Sequence, residues 1–330
     1  MRKKSGLYVV HHPDLAYSPR TQKTLGEWLE FRFEPITGDE LSLDLSILSG
    51  VEIILSGWGG PRMDGAFLDA VPRLEAVFYA AGSIRGIVTD AFWQRSIVIS
   101  SAWAANAIPV AEFTYAQIIL ALKQAWRVSR EMHQQRLAPR HDGIRGVYDA
   151  QVGLVGLGMI GRLVVERLKT LHVDVWAYDP SLTEEKAAEL GVRKAGLDEL
   201  FSSCEVVSLH APNLESTRGM ITGAHLRLLQ PGAAFINTAR GAVVREAEMI
   251  EVLQQRPDLF AFLDVTDPEP PEAGSPLYTM PNVVLTPHLA GSVGHECWRM
   301  GDYMLDEVRR YLQRHPLQWQ VTPEMFRTMA

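Results

Sequence analysis

Three residues with side chains that could do chemistry follow apolar segments that predict strands. Arg240, Glu269 and His288 each stand within a few residues of the end of such a segment. Imidazole titrates near neutrality, so His288 could exchange a proton with a substrate hydroxyl, and a carboxylate from Glu269 against its other ring nitrogen would fix the tautomer. The charged fork of Arg240 suits a substrate carboxylate or its neighbouring carbonyl. Together they predict acid–base chemistry on a small carboxylic acid.

Taken singly, each residue has a simpler interpretation: an exposed turn arginine, a solvated loop glutamate, and a capping or core histidine. Because the carboxyl ends of parallel strands meet at one edge of a sheet, all three are expected at the same rim, which favours a functional site. His210 also follows a predicted strand and is expected to line a cofactor there. Asp264 closes another strand and is expected either to contact a cofactor ring or to support the histidine.

A glycine-rich turn is predicted at the same rim. It consists of Gly156, Leu157, Gly158, Met159, Ile160 and Gly161. Its first glycine permits a tight turn, its second lets a pyrophosphate approach the backbone closely, and its third lets the following helix pack against the strand. The free N–H groups at the start of that helix would face the phosphates. The next strand ends at Asp179, whose carboxylate would accept hydrogen bonds from ribose hydroxyls and repel a 2′-phosphate. The pattern predicts a dinucleotide and favours NAD over NADP, a preference that a nearby arginine would soften. A nicotinamide beside His288 would make the reaction a hydride transfer.

The composition and charge of the whole chain exclude several classes of protein. It has 330 residues, 47% of them hydrophobic, and a net charge of -7, which argues against a nucleic-acid partner. Its two cysteines, Cys204 and Cys297, are not in a Cys-x-x-Cys pair, which favours a reducing compartment and no metal site. No stretch approaches the roughly 18 uninterrupted apolar residues of a membrane span, and the first apolar run is too short for a signal sequence. We expect a cytoplasmic protein without a membrane partner.

The order of segments predicts two α/β domains. Short apolar strands are expected at Leu7–Val10, Phe31–Glu34, Val51–Leu55, Ala76–Tyr79 and Ile97–Ile99, and six more at Val152–Val155, Val175–Tyr178, Val206–Leu209, Ala234–Ile236, Phe260–Leu263 and Val283–Leu285. A long helical segment, Ile108–Gln135, would cross between the domains, and a helix after Gly291 would cross back. We therefore predict a substrate domain of residues 1–103 and 293–330, with a dinucleotide-binding domain of residues 104–292 inserted into it.

Several blocks resemble the D-isomer-specific 2-hydroxyacid dehydrogenases. The matching blocks are Val155–Gly161, Leu209–Pro212 with Thr217, Phe235–Gly241, Asp264–Pro270, Thr286–Gly291, and Asn106 with Val110–Glu112. The resemblance implies a doubly wound Rossmann domain, inserted into a smaller flavodoxin-like α/β substrate domain, and a cleft that closes on the substrate. It also implies a homodimer formed through the NAD-binding domain. Within the site it implies that Arg240 anchors the substrate carboxylate and that Glu269 partners the acid/base His288.

The expected binding residues follow from the motifs and the resemblance. Those expected to bind NAD are Gly156, Gly158, Met159, Ile160, Gly161, Asp179, His210, Ala211, Pro212, Thr217, Thr238, Ala239, Arg240, Asp264, His288 and Gly291. Those expected to bind the substrate are Ala81, Gly82, Ser83, Arg240 and His288. The loop of residues 81–86 departs from the Gly-x-Gly-x-Asp-like sequence common in the family, and Thr266 replaces a common phenylalanine. Arg85 in that loop is expected to be either a second cation for an acidic substrate or an exposed charge.

We predict an enzyme that interconverts a D-2-hydroxy acid and its 2-keto acid with NAD(H). Formate is disfavoured, because formate dehydrogenases of the superfamily carry glutamine at the position of Glu269. One alternative is a phosphoglycerate-dehydrogenase-type enzyme, for which Trp58, Arg62 and Arg85 are the candidate phosphate contacts. The other is a non-enzymatic, NAD-sensing protein like the family's corepressor branch. The side chain of the substrate, the direction of the reaction and strict coenzyme choice stay open.

Overall fold

The computed structural model describes residues 2–41, 45–136, 138 and 143–329. The strands are β1 (Lys4–Val9), β2 (Leu29–Phe31), β3 (Ile53–Ser56), β4 (Ala76–Tyr79), β5 (Val98–Ser101), β6 (Ala150–Val155), β7 (Val173–Tyr178), β8 (Arg193–Lys194), β9 (Val206–Leu209), β10 (Ala234–Asn237), β11 (Phe260–Leu263) and β12 (Val283–Leu285). The helices are α1 (Pro13–Ala16), α2 (Pro19–Trp28), α3 (Gly38–Leu41), α4 (Gly65–Ala70), α5 (Asp90–Trp93), α6 (Trp103–Leu122), α7 (Ala125–Gln135), α8 (Met159–Leu168), α9 (Glu184–Leu190), α10 (Leu197–Ser203), α11 (Gly223–Leu228), α12 (Glu246–Gln255), α13 (Glu296–Leu312) and α14 (Pro323–Thr328). Short 3₁₀ turns lie at Ser46–Gly50, Gly241–Val243 and Pro276–Tyr278.

The chain divides into two compact units. Unit 1 comprises Met1–Ala107 and Ser292–Ala330, and unit 2 comprises Ile108–Gly291. The first point of division lies within α6, whereas the sequence pattern places it at residue 103, where that helix begins.

Unit 1 contains a five-stranded parallel sheet in the order β2-β1-β3-β4-β5, the order of flavodoxin-like folds. Both faces of the sheet are buried, so its strands are continuously apolar rather than alternating. Leu7 and Ile54 point into one core, whereas Ile53 and Leu55 point into the other. Beyond β5, the segment after α13 returns to the sheet, where the N–H of Val321 donates to the carbonyl of Ile99 at 2.9 Å.

Unit 2 contains a seven-stranded parallel sheet in the order β12-β11-β10-β9-β6-β7-β8. Counted from β6, this is the doubly wound dinucleotide-binding order with one further strand beside β11. The structure confirms the predicted fold class, but it has one strand more than the six predicted for this part of the chain. The additional strand, β8, contains only two residues, Arg193 and Lys194, and is too short and too polar to show an apolar pattern.

The prediction of a single helical segment from Ile108 to Gln135 was wrong in its extent. The first helix, α6, begins five positions earlier at Trp103 and ends at Leu122, and α7 follows it. Between them Gln124 adopts a left-handed backbone with φ of 47°, and its side chain donates to the carbonyl of Gly232 at 3.4 Å. No glycine or proline marks this break. By length and composition alone α6 could cross a membrane, yet 56% of its apolar window is buried, as in the core helix of a globular protein.

Candidate active site

The three chemistry-bearing residues follow three neighbouring strands of unit 2. Arg240 follows β10, Glu269 follows β11 and His288 follows β12, and these strands are adjacent in the sheet. Nδ1 of His288 lies 2.6 Å from Oε1 of Glu269. Arg240 lies close enough to Glu269 for the carboxylate to act on the pKa of the guanidinium. The fold therefore brings all three residues to the same edge of the sheet.

The backbone at Arg240 is pressed against the loop that carries Glu269. A Cβ atom on Gly241 would collide with the backbone of Thr266, so only glycine permits this approach. Burial lowers the pKa of Arg240, and the charge of Glu269 partly offsets this effect. Nη1 of Arg240 donates to the carbonyl of Ala239 at 2.6 Å. No other acceptor within the described residues binds this guanidinium, so its remaining N–H groups are free for a carboxylate.

The loop that carries His288 has a defined geometry. The residue itself has a left-handed backbone with φ of 52°, a conformation that a non-glycine side chain rarely adopts. Its N–H donates to the carbonyl of Asp264 at 2.9 Å. Because the carboxylate of Glu269 accepts the proton on Nδ1, Nε2 is the ring atom left to exchange a proton with a substrate. The side chain is 46% exposed, so a small molecule can reach it.

The buried carboxylate of Asp264 holds this loop in place. Its Oδ1 accepts hydrogen bonds from Oγ1 of Thr286 at 2.5 Å and from the N–H of Leu289 at 2.9 Å. Its Oδ2 accepts from the N–H of Ala290 at 3.0 Å. Asp264 is 3% exposed, so these bonds are shielded from water. Of the two roles predicted for this residue, the geometry supports that of holding the histidine loop.

The glycine turn has the close contacts that the motif requires. Gly156 has φ of 97°, and a Cβ atom there would lie 2.9 Å from the backbone nitrogen of Ala211. A Cβ atom on Gly161 would collide with the carbonyl oxygen of Gly156. Gly158 instead faces open space and precedes α8 without a side-chain cap, which leaves the first N–H groups of the helix open to an anion. These residues fit the pyrophosphate of a dinucleotide.

Asp179 stands at the end of β7, beside the glycine turn. Its Oδ2 accepts from the N–H of Leu157 at 2.8 Å, and its Oδ1 accepts from the N–H and the hydroxyl of Ser181 at 2.8 and 2.7 Å. Burial alone would raise the pKa of Asp179, but these hydrogen bonds and the charge of Arg162 hold the pKa below its ordinary value. Arg162 was not among the residues predicted from sequence, although its place directly after Gly161 was a signal that could have identified it.

Residues 115–290 match the sequence model of the family described as "D-isomer specific 2-hydroxyacid dehydrogenase, NAD binding domain". The chain belongs to this family. It is 33% identical to (S)-sulfolactate dehydrogenase of Chromohalobacter salexigens over 256 residues, which cover 76% of this chain and 82% of the relative. It is 31% identical to D-3-phosphoglycerate dehydrogenase of Archaeoglobus fulgidus over 250 residues, which cover 75% of this chain and 47% of the relative. The chain spans about half the length of the phosphoglycerate dehydrogenases that it matches.

Solved structures of the 2-hydroxyacid dehydrogenase family have the same fold. The D-isomer specific 2-hydroxyacid dehydrogenase of Lactobacillus delbrueckii ssp. bulgaricus, in an NAD complexed form, superposes with a TM-score of 0.78 at 21% identity, covering 96% of this chain and 100% of that one. D-mandelate dehydrogenase of Rhodotorula graminis gives a TM-score of 0.81 at 21% identity, covering 97% and 98%. The family match identifies the fold of unit 2 as an NAD-binding domain and confirms the predicted cofactor.

Other residues predicted to bind NAD differ in what their side chains contact. His210 is buried, its Nε2 lies 3.1 Å from Oγ of Ser208, and burial lowers the pKa of the imidazole to about 4. The hydroxyl of Thr217 donates to the carbonyl of Pro212 at 2.5 Å, and that of Thr238 pairs with Oγ1 of Thr114 at 2.8 Å. The side chains of His210, Thr217 and Thr238 therefore contact other groups of the protein. Met159 is 37% exposed beside the turn, whereas Ile160 is half-buried, Ala211 and Ala239 are buried, and Gly291 ends unit 2.

The predicted substrate loop lies in unit 1, after β4. Oγ of Ser101 donates to the carbonyls of Ala81 and Gly82 at 2.9 and 2.5 Å. In the described parts of the chain, no acceptor binds the backbone N–H groups of Gly82 and Ser83. Arg85 is exposed, as one of its two predicted behaviours required, and its guanidinium donates hydrogen bonds to carbonyl oxygens of the C-terminal segment. The sequence could not show this contact, which joins residues more than 240 positions apart.

Proposed function

We propose that this family member interconverts a D-2-hydroxy acid and its 2-keto acid with NAD(H). The observation that carries the proposal is the 2.6 Å contact between Nδ1 of His288 and Glu269, at the same edge of an NAD-binding domain as Arg240. An acid/base residue, its carboxylate partner and a cation for the substrate are the groups that this reaction needs.

In the proposed mechanism, the glycine turn of residues 156–161 and the N-terminus of α8 would hold NADH, which would supply a hydride for the carbonyl carbon of a 2-keto acid. His288 donates the proton on Nε2 to the carbonyl oxygen and takes it back in the direction of oxidation. Glu269 accepts the hydrogen on Nδ1, so it fixes the tautomer and stabilises the charged ring. Arg240 binds the substrate carboxylate with its free N–H groups, in a partly buried position where water competes less.

We propose that the free N–H groups of Gly82 and Ser83 also bind an anionic group of the substrate. Backbone N–H groups without a protein acceptor favour a carboxylate, and here Gly82 lacks a side chain that would shield them. The side chain of Asn106 lies beneath Gly82, and its Oδ1 accepts from the N–H of Ser292 at 2.8 Å.

A substrate panel tests the proposal directly. Reduction of glyoxylate, hydroxypyruvate, pyruvate, phenylpyruvate and 2-ketoisocaproate is followed with NADH and with NADPH. His288→Gln should abolish most of the turnover, by roughly two to four orders of magnitude, because a general acid–base group is lost. NADH binding, measured by fluorescence, should be spared. Turnover retained by this variant would contradict the role of His288.

The names of the relatives favour one second candidate, a substrate with an additional anionic group. Phosphoglycerate and sulfolactate both carry such a group, and enzymes acting on them match this chain over three quarters of its length. Of the three candidate contacts, Arg85 is occupied by the C-terminal segment, whereas Trp58 and Arg62 are exposed after β3. Phosphorylated and sulfonated hydroxy acids in the panel separate the two candidates. If none of the acids tested supports NADH oxidation, the chain would instead be an NAD-sensing binding protein.

We further propose that the enzyme is a cytoplasmic homodimer. Support for a partner comes from α7, which has no buried residue and on which Met132 and Trp126 are 55% and 40% exposed. The buried free thiols of Cys204 and Cys297 suit a reducing compartment. Light scattering after gel filtration measures the mass, and a monomer would exclude the dimer. Fractionation of the source cells tests the compartment.

A further inference from the structure

Arg85 joins the loop after β4 to the C-terminal helix α14. Its Nε donates to the carbonyl of Met329 at 2.8 Å, and its Nη2 donates to the carbonyl of Phe326 at 2.9 Å. The guanidinium carbon also lies 5.0 Å from the centre of the Phe326 ring. The carbonyl of Phe326 belongs to the last turn of α14 and that of Met329 to its C-cap residue, at the helix end where a cation is favoured by the helix dipole.

Each of the two segments has its own attachment to the core of unit 1. In the loop, Ile84 and Ile87 are buried, and the hydroxyl of Ser101 binds the carbonyls of residues 81 and 82. At α14, the ring of Phe326 lies 5.4 Å from that of Trp93, and the oxygen of Thr322 caps the first turn. Within the stretch from Gly82 to Gly86, Ile84 is buried, whereas Arg85 and Gly86 lie on the exposed side of the loop. Two glycines give this stretch more backbone freedom than other residues would, so a link on that side limits its movement.

We propose that Arg85 is a positioning residue that holds the substrate loop by binding α14. With this link in place, the N–H groups of Gly82 and Ser83 keep one orientation toward an anionic group of the substrate. The inference rests on the proposed function, which makes these N–H groups a substrate contact. The segment of residues 323–329 thereby contributes to substrate affinity although it holds no substrate contact itself.

Four single variants separate this role from direct binding of the substrate by a cation. Arg85→Gln removes the link and the charge, whereas Arg85→Lys keeps the charge but loses the fork that reaches two carbonyls. Phe326→Ala weakens the link from the α14 side only. Arg95→Gln is the matched control, because Arg95 is another exposed arginine of unit 1, paired with Asp69 at 2.5 Å.

The readouts are steady-state kinetics with the best 2-keto acid, NADH affinity by fluorescence, and hydrogen exchange of residues 82–88. We expect Arg85→Gln, Arg85→Lys and Phe326→Ala each to raise KM about tenfold, with kcat within about twofold and NADH affinity unchanged. The amides of the loop should exchange about tenfold faster in these variants than in the control.

Two outcomes would overturn the proposal. One is an unchanged KM and exchange rate in Arg85→Gln. The other is a raised KM in Arg85→Gln alone, with Arg85→Lys and Phe326→Ala at the wild-type value, which would make Arg85 a direct cation for the substrate. If the wild-type chain reduces no 2-keto acid, the proposed function fails, and hydrogen exchange in the same variants still shows whether Arg85 holds the loop.

Discussion

Nδ1 of His288 lies 2.6 Å from Oε1 of Glu269, and both side chains are nearly half exposed. The contact points the imidazole so that Nε2 is the atom free to exchange a proton. The contact joins the loops that follow β11 and β12. Because these strands are neighbours in the sheet, two residues 19 positions apart in sequence come into contact.

Glu269→Gln should lower kcat by roughly one to two orders of magnitude. The amide oxygen can still accept the hydrogen on Nδ1, but it no longer carries the charge that stabilises a protonated ring. Steady-state kinetics at several pH values measure the loss, and NADH binding should be unchanged. Glu251→Gln, at an exposed position of α12, is the control. Equal activity of the two variants would show that Glu269 does not act through His288.

Asp264→Asn should impair both stability and turnover. An amide nitrogen cannot accept the hydrogen bond that Oδ2 receives from Ala290, and a buried N–H left without a partner costs about 1–3 kcal/mol. Urea unfolding measures the free energy, and kcat reports the displaced His288. Thr286→Val removes only the hydroxyl bond to Oδ1 and should give a smaller effect on both. A stable variant with unchanged kcat would remove Asp264 from the support of the histidine loop.

Gly241→Ala should raise the KM for the substrate by about tenfold or more. The added Cβ would meet the backbone of Thr266, so the turn that carries Arg240 must move away from the loop of Glu269. Gly274→Ala is the matched control, because a Cβ there meets nothing within 4 Å. Kinetics with both variants decide the matter, since indistinguishable KM values would show that the close approach is not needed to place Arg240.

His210 should make the protein less stable in mild acid. Burial lowers the pKa of its imidazole from 6.5 to about 4, so between these values the unfolded chain binds more protons than the folded one. The stabilising contribution is therefore fully present above pH 6.5 and is lost as the pH falls toward 4, by roughly 3 kcal/mol.

Urea unfolding from pH 7 to pH 4 measures this loss. His210→Gln should flatten the pH dependence, whereas His172→Gln, at an exposed position, should leave it as in the wild type. Parallel curves for all three proteins would mean that the imidazole of His210 is not kept neutral by the fold.

Coenzyme choice should depend on two charges beside the glycine turn. If Asp179 accepts hydrogen bonds from the ribose and repels a 2′-phosphate, as the motif predicts, Asp179→Ala should lower NADH affinity about tenfold and raise NADPH affinity. Arg162 is tied to the carbonyl of Leu157 by Nε at 2.9 Å, and its terminal nitrogens meet no acceptor among the described residues. Arg162→Gln should therefore weaken NADPH more than NADH. Fluorescence titration with both coenzymes tests this, and equal weakening would exclude a role for Arg162 in the choice.

Much of the fold follows from local patterns. Apolar runs in buried parallel strands are continuous, which is why β4, β9, β11 and β12 are predicted with their observed bounds. The glycine spacing before α8 and the acidic residue after β7 predict the dinucleotide turn, because each meets a steric or charge requirement that acts between nearby residues. Arg240, Glu269 and His288 could be placed together from sequence, because parallel strands end at a common edge.

Other features were decided by contacts between distant parts of the chain. The partner of Arg85 is a helix at the other end of the sequence, and the bonds of Asp264 reach residues 22 to 26 positions away, so no local pattern records them. The break between α6 and α7 occurs at a glutamine held by Gly232, without a helix-breaking residue to announce it. Strand β8 pairs only because β7 offers an open edge. Local sterics and periodicity are written in neighbouring residues, whereas these pairings arise only when folding brings remote groups within bonding distance.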